Sequence, residues 1–392
     1  MKNKYVEFNK LFFKYKDKIY IFFLVIYIFS SLMSEKFTIN DVYIFAFKCV
    51  KYLSLIPILY KIIVFDIKYY SKKTMNTVGF VLVVIAINIF FTKHYRTMLR
   101  YLVLILGSYG IDLKKVLTNY LIIEFFVLFF ALLLCFFGII PNYLYYKAGV
   151  PRYSLGFGWP TYPALLFFTV TCLYLYLGGK KIKFYHYLIL LLINVLIFLL
   201  TNTRFEFLCS VVAIIFSLLY KYNNSKKLNS LLINIAKFIL PFFTIISLIL
   251  AYVYTPTNTF LYKINDISSN RLLFMSNAIK DNGISIVGKN VDWNGQSERQ
   301  FDKSLTQNVV DNGYINVIIN YGLLFLLGLE YLYYKLIIIS KKENVLLSYM
   351  IIILAIHTFV NPQLLQIVYN PFLLLLVIPI TYNDKKYKKL VI

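Results

Sequence analysis

Acidic residues are scarce in this sequence, in which 17 aspartates and glutamates stand against 41 lysines and arginines among 392 residues. Charged residues of either sign make up only 15% of the chain, where a soluble protein carries roughly a quarter. Mean hydropathy is +0.70. This composition excludes an ordinary soluble protein of two or three domains.

The chain also lacks familiar reactive motifs. It has no G-x-S-x-G elbow, no phosphate-binding P-loop and no H-E-x-x-H zinc motif. The cysteines show neither zinc spacing nor a disulfide framework, and all lie within apolar runs, which is typical of small buried side chains. They are Cys49, Cys135, Cys172 and Cys209. We therefore expect no metal site, no cofactor and no nucleotide-driven chemistry.

Long apolar runs fill nearly the whole sequence, and several reach the roughly 20 residues that span a bilayer. The runs predict one integral membrane domain over residues 1–392, an all-α polytopic bundle of about twelve transmembrane helices. The expected spans cover residues 19–33, 41–64, 76–92, 97–110, 117–140, 161–179, 187–202, 204–220, 230–254, 309–335, 345–360 and 365–382. The first run follows a lysine-rich start and lacks a small-residue cleavage site, so we expect a retained helix rather than a signal peptide.

The net charge of +24 raises the question of nucleic acid, but the lysines cluster in short connections between apolar runs. With the N-terminus inside, each cytoplasmic segment holds two or more lysines, which predicts cytoplasmic N- and C-termini. These segments are residues 1–18, 61–73, 111–115, 180–183, 221–227, 335–342 and 383–392. The distribution indicates a lipid bilayer as the partner, and no nucleic acid.

Two predicted outer loops are long, residues 141–160 and residues 255–308. In the second loop Leu272, Met275 and Ile279 recur at helical spacing, so we expect an amphipathic helix from Asn270 to Lys280. Loops this rich in aromatic and aliphatic residues are expected to be ordered, and ordered outer loops often carry function.

The six arginines all fall in predicted outer loops or at outer helix ends: Arg96, Arg100, Arg152, Arg204, Arg271 and Arg299. In a lysine-biased sequence an arginine is informative, because its planar fork binds phosphate or carboxylate in a way that lysine does not reproduce. Arg204 lies between two apolar runs, two residues before Glu206. The alternatives are snorkelling to lipid headgroups, an ion pair with Glu206, or, for Arg96 and Arg299, ordinary loop residues.

The stretch "NVVDNGYINVIINYGLLF", residues 308–325, is polar where an apolar span should begin. Asp311 has two interpretations, a helix cap or a functional carboxylate. Asn312, Asn316 and Asn320 recur at intervals of four and predict one polar stripe, which together with Tyr314 would line a pocket opening outward. Two other ionisable residues stand out. Glu124 lies within an apolar run, so its carboxylate needs a partner inside the protein. His357 either faces the same pocket or has a purely structural role.

The order of these motifs resembles a known family. Residues 152–160 carry R-x-S-x-G-F followed by a proline, Arg204 ends a mid-chain helix, and a late loop with "NRLLFMSNAIKDNGISIVGKN" precedes "DNGYINVIINYGLLF". This pattern resembles the Wzy polymerases of capsule, exopolysaccharide and O-antigen synthesis and the related O-antigen ligases. The resemblance implies a GT-C-like glycosyltransferase in the bacterial plasma membrane that needs neither nucleotide sugar nor metal.

The resemblance also implies roles. The substrates would be undecaprenyl-pyrophosphate-linked oligosaccharides, with a flippase and a chain-length regulator as possible partners. Arg204 and Arg271, with Arg152 as a third, would stabilise the pyrophosphate leaving group. Asp311 would accept the proton from the attacking hydroxyl or orient that hydroxyl. Substrate-binding residues would be Arg152, Trp159, Asn312, Tyr314 and Asn316. Ligases typically have a histidine where this chain has Asp311, which favours a polymerase.

Two other functions stay open. A flippase for the lipid-linked unit would share the many spans, the aromatics and the arginines, although its polar residues are expected near the midplane and its halves are often related. Here the polar residues cluster at the predicted outer face, which favours chemistry there. A ligase that transfers the chain to another acceptor is the second alternative.

Overall fold

The computed structural model describes residues 2–147, 149–223, 225–295, 308–340 and 345–384. Almost all regular structure in these ranges is α-helical, with short 3-10 and π segments and one two-stranded hairpin. The first half contains α1 (Lys2–Lys36), α2 (Asp41–Leu53), α3 (Leu55–Lys61), α4 (Lys72–Phe91), α5 (Tyr95–Gly107), α6 (Leu113–Phe136), β1 (Leu144–Lys147), β2 (Val150–Tyr153) and α7 (Thr161–Gly178). The second half contains α8 (Phe184–Thr201), α9 (Arg204–Tyr222), α10 (Lys226–Val253), α11 (Thr259–Ile267), α12 (Arg271–Asn282), α13 (Gly313–Asn320), α14 (Leu323–Ser340), α15 (Val345–Val360) and α16 (Val377–Thr381).

Nine helices in the described ranges are long and apolar enough to cross a bilayer. They cover Asn9–Lys36, Asp41–Tyr69, Lys72–Phe91, Leu113–Phe136, Thr161–Lys181, Phe184–Thr201, Arg204–Tyr222, Lys226–Val253 and Leu323–Ser340. The expected count of twelve is not confirmed, because α5 has 13 residues, α15 has 16, and Pro371–Thr381 is shorter still. The structure thus describes an all-helical bundle with the apolar helices of a multi-pass membrane protein.

The expected continuous span over residues 309–335 is wrong. The chain turns at Tyr321 and Gly322, so that α13 and α14 are separate helices. Gly322 has a φ of 97°, and a β-carbon there would lie 2.4 Å from the carbonyl oxygen of Ile286. The preceding loop is bonded to this turn, since the Leu323 amide donates to the Ser285 carbonyl at 2.8 Å. Hydropathy alone does not reveal such a turn, because both helices are apolar.

The expected span over residues 365–382 is only partly helical. Residues 361–370 follow α15 without regular structure, and a 3-10 helix (Pro371–Leu376) and α16 complete the segment. This irregular stretch is mostly buried, and its backbone carbonyls accept bonds from side chains of neighbouring helices: Tyr120 donates to Ile367 and Thr169 donates to Tyr369. Irregular backbone inside an apolar bundle requires such partners.

Both predicted outer loops are ordered in their described parts. In the first, β1 and β2 form an antiparallel hairpin in which Tyr145 lies opposite Arg152. In the second, α12 confirms the helix expected from Asn270 to Lys280, and its Leu272, Met275 and Ile279 are buried as the spacing predicted. The preceding α11 was not predicted. Residues 296–307, which include Arg299, lie outside the described ranges.

These loops meet at one end of the bundle, which we call the hairpin end. The Gly158 amide donates to the Lys36 carbonyl at the end of α1, and Arg152 donates to Thr201 at the end of α8. Lysine-rich connections meet at the opposite end, where Lys221 donates to the Ile182 carbonyl. The structure therefore separates the loop arginines from most of the lysine clusters by the length of the apolar helices.

Candidate functional site

Six charged side chains from the hairpin, α9, α12 and the segment before α13 surround the contact between the hairpin and α12. The cations are Lys147, Arg152, Arg204 and Arg271, and the carboxylates are Glu206 and Asp311. We call this group the hairpin cluster. Four cations against two carboxylates leave a net charge of +2, so the cluster favours an anionic ligand.

Arg271 is the first residue of α12, and two backbone carbonyls fix its guanidinium. The Nε donates to Val360 at 3.0 Å and an Nη1 hydrogen to Ser268 at 2.9 Å. The Nε also lies 3.6 Å from Oδ2 of Asp311. A guanidinium has five N–H donors, so several remain for a ligand after these contacts. The neutral carbonyls orient the side chain without cancelling its charge.

Arg152 lies on β2 with a side chain that is almost fully buried. Its Nε donates to the Thr201 carbonyl at 2.8 Å, which ties the hairpin to the end of α8. Burial lowers the pKa of Arg152, nearby Glu206 counteracts this, and Arg271 adds to the lowering. The guanidinium is thus close to another cation in a partly desolvated place, which a bound phosphate would relieve.

Arg204 begins α9 and its side chain is exposed. Within the described ranges it makes no hydrogen bond and no ion pair, so the alternative of an ion pair with Glu206 is wrong there. Glu206 instead is buried and accepts a hydrogen bond from Nδ2 of Asn361 at 2.8 Å. The same Nδ2 lies 3.1 Å from Nε2 of His357. Residues two positions apart do not face each other on a helix, which explains why Arg204 and Glu206 have different neighbours.

Lys147 belongs to the cluster but was missed by the sequence analysis. Its Nζ donates to Oγ of Ser269 at 2.7 Å, which joins the end of β1 to the turn before α12. Burial lowers the pKa of Lys147, Arg152 and Arg271 lower it further, and Asp311 opposes them. In a lysine-rich sequence, one more lysine in an outer loop does not indicate a functional site. Only the fold shows which charged residues lie near Lys147.

Asp311 precedes α13 and is not its cap, so the helix-cap interpretation is wrong. The cap is Asn312, whose Oδ1 accepts from the Ile315 amide at 2.9 Å. Burial raises the pKa of Asp311, and Arg271 and then Lys147 oppose that shift. The carboxylate is therefore available to accept a proton next to two cations.

The remaining predicted residues bond largely within the protein. Asn312 donates to Ser247 and to the Phe359 carbonyl, both at 2.9 Å, and the fully buried Tyr314 donates to the Ala355 carbonyl at 2.9 Å. Asn320 accepts from Nε1 of Trp293 at 2.9 Å. Tyr314 thus lies inside the bundle rather than at a pocket mouth, and the ends of the polar stripe join α13 to its neighbours. Asn316 is half-buried.

Trp159 lies between the hairpin and α7. Its half-buried ring meets Tyr145 edge to face with centroids 4.5 Å apart, and Tyr145 donates to the neighbouring Gly158 carbonyl at 2.9 Å. A half-buried aromatic ring that packs on the hairpin carrying Arg152 suits a sugar that carries a phosphate. The predicted roles of Trp159, Asn312, Tyr314 and Asn316 in substrate binding stay predictions.

Comparison of the chain with protein-family models, with curated proteins and with solved structures gives no match. The chemistry of the site is therefore inferred from its geometry alone. In the part of the chain that the structure describes, no three His, Cys, Asp or Glu side chains are grouped to hold a metal ion. What the cluster offers chemically is a set of fixed cations beside one carboxylate.

Proposed function

We propose that this protein polymerises undecaprenyl-pyrophosphate-linked oligosaccharides into a surface polysaccharide. The observation that supports this most strongly is the hairpin cluster, four cations at one end of an apolar bundle with Asp311 beside Arg271. A lipid pyrophosphate places its charge at the membrane surface, where these side chains lie. The reaction is a glycosyl transfer of the GT-C type that uses no nucleotide sugar.

The reaction joins two lipid-linked substrates. A sugar hydroxyl of a new repeat unit attacks the anomeric carbon that carries the growing chain, and the bond from that carbon to the pyrophosphate oxygen breaks. The electron pair leaves with undecaprenyl pyrophosphate, and the hydroxyl proton goes to Asp311. The whole chain moves to the new unit and grows at its reducing end.

The cations act on the leaving group. Negative charge develops on the pyrophosphate as the bond breaks, and donors that are already fixed in place stabilise it at no reorganisation cost. Arg271 and Arg152 are held by backbone carbonyls, Lys147 is anchored on a serine, and Arg204 has no hydrogen-bond partner among the described residues. Burial that raises the pKa of Asp311 makes its carboxylate a better proton acceptor.

We place the hairpin end outside the cytoplasm of a bacterial plasma membrane. Lysine-rich connections collect at the opposite end, as the positive-inside rule requires of the cytoplasmic face, and both termini would then be cytoplasmic. On the outer face a flippase would supply the lipid-linked unit, and a chain-length regulator would be a second partner.

The two alternatives are a flippase and a ligase. The charged residues of the hairpin cluster gather at one end of the bundle, which disfavours a flippase, whose substrate must pass the midplane. Aspartate at position 311, where ligases typically have histidine, disfavours transfer to another acceptor.

Deletion of the gene, followed by gel analysis of surface and lipid-linked glycan, separates the three functions. Loss of the ladder with single repeat units retained supports polymerisation. Loss of every surface product indicates a flippase, and a complete ladder left on undecaprenyl lipid indicates a ligase.

A further inference from the structure

A second group of cations lies at the hairpin end, away from the hairpin cluster. Lys36 ends α1, Lys51 lies on α2 and Arg100 on α5, and all three interact electrostatically with one carboxylate, Glu35. Only Lys51 forms an ion pair with it, with Nζ 2.8 Å from Oε1. We call these four residues the α1 cluster.

The other two cations have neutral partners. Nζ of Lys36 donates to Oε1 of Gln366 at 3.3 Å and lies over the ring of Tyr162, 4.8 Å from its centroid. Arg100 donates to Oγ1 of Thr97 at 2.7 Å and to the Arg96 carbonyl at 3.2 Å. Within the described ranges neither cation has a carboxylate at salt-bridge distance.

Three cations around one carboxylate leave a net charge of +2 where helices end at the edge of the apolar bundle. Lys36 and Lys51 are almost fully buried, whereas the Glu35 side chain is 39% exposed, so the cluster opens on that side. Cations held with little water are costly unless a charged partner offsets them. A phosphate group entering beside Glu35 would supply that partner.

The hairpin connects this cluster to the first one. The Lys36 carbonyl accepts from the Gly158 amide at 2.8 Å, the Gly158 carbonyl accepts from the hydroxyl of Tyr145, and Tyr145 lies opposite Arg152 in the hairpin. The half-buried ring of Trp159 follows Gly158 directly. One aromatic loop therefore links the two net-positive clusters.

We infer that the α1 cluster is a second phosphate-binding site, which takes the pyrophosphate of the second lipid-linked substrate while the hairpin cluster holds that of the first. The inference rests on the proposed polymerisation, which brings two such lipids together in each cycle. The aromatic loop would then lie where the sugars of the two substrates meet.

The test is the binding of undecaprenyl pyrophosphate without sugar to the purified full-length protein in lipid nanodiscs, counted by native mass spectrometry. We expect two molecules per wild-type chain. The double variant Lys36→Gln/Arg100→Gln should bind one, with at least about tenfold weaker binding at the altered site. Arg204→Gln/Arg271→Gln should also retain one, and the quadruple variant none. Lys93→Gln, which removes one positive charge at an exposed position near this end, is the control and should bind two.

Two results would overturn the inference. One is unchanged binding of two molecules in Lys36→Gln/Arg100→Gln. The other is competition at the α1 cluster by phosphatidylglycerol as effective as that by undecaprenyl pyrophosphate, since the site would then hold ordinary lipid headgroups. Failure of the proposed function is distinguishable: two bound molecules without any polymer formation would support the site and refute the polymerase.

Discussion

Arg271 and Asp311 lie side by side at the hairpin end, with Nε of the arginine 3.6 Å from Oδ2 of the aspartate. The separation exceeds a normal hydrogen bond, and two backbone carbonyls rather than Asp311 fix the guanidinium. Both side chains are partly exposed, 23% and 40% respectively, so a ligand can reach either of them. Both side chains are therefore available to contact a substrate, and they do not form a tight ion pair with each other.

Arg271→Lys tests whether the guanidinium fork is needed. Lysine keeps the charge but cannot donate to Val360, Ser268 and a phosphate in the same geometry, so we expect turnover to fall on the order of 10²-fold. Single lipid-linked units should accumulate on gels. Lys280→Gln, an exposed change in the last turn of the same helix, should leave the ladder unchanged. A normal ladder in Arg271→Lys would refute the phosphate-binding role.

Arg204→Lys separates function from stability. Because Arg204 makes no hydrogen bond or ion pair within the described ranges, its replacement should leave the melting temperature of the detergent-solubilised protein unchanged. Polymer should nevertheless fall sharply. A lowered melting temperature with proportionate loss of polymer would indicate a structural residue instead.

Asp311 should make the polymerisation rate fall at low pH, which gives the pH–rate profile an acid limb. Burial raises the pKa of Asp311, and Arg271 and Lys147 only oppose this, so the carboxylate takes up a proton at a higher pH than an ordinary aspartate. The deprotonated form is the proton acceptor, so the rate should fall as the pH drops through that raised pKa. Asp311→Asn should lower the rate on the order of 10²-fold and abolish the limb. An unchanged pH profile in Asp311→Asn would assign the limb to another group.

Part of this molecule was predictable from the sequence. Apolar runs and helical spacing predicted the long helices and α12, because both patterns are local. The turn at Gly322 was missed, since its cause is the close approach of Ile286, which no local pattern records. Lys147 was missed for the same reason: its neighbours Ser269 and Arg271 come from a distant part of the chain.

Gly322→Ala tests the break between α13 and α14. The new β-carbon would meet the Ile286 carbonyl oxygen at 2.4 Å with φ at 97°, so we expect a loss of about 1–3 kcal/mol in the free energy of unfolding. Gly328→Ala is the matched control, because its β-carbon meets nothing within 4 Å inside α14. Equal melting temperatures for the two variants would contradict the described turn.

Tyr314→Phe decides between the predicted substrate contact and the observed internal one. The Tyr314 hydroxyl donates to the Ala355 carbonyl inside the bundle, so its removal should destabilise the protein by about 1 kcal/mol. Turnover per folded molecule should stay at the wild-type level. Loss of turnover at unchanged stability would instead support the predicted contact between Tyr314 and the substrate.

The central claim is tested most directly by the purified protein alone, reconstituted in liposomes with undecaprenyl-pyrophosphate-linked repeat units. We predict a ladder of longer lipid-linked chains and release of undecaprenyl pyrophosphate, both lost in Arg204→Lys/Arg271→Lys. Movement of single units across the bilayer without any ladder would contradict the account.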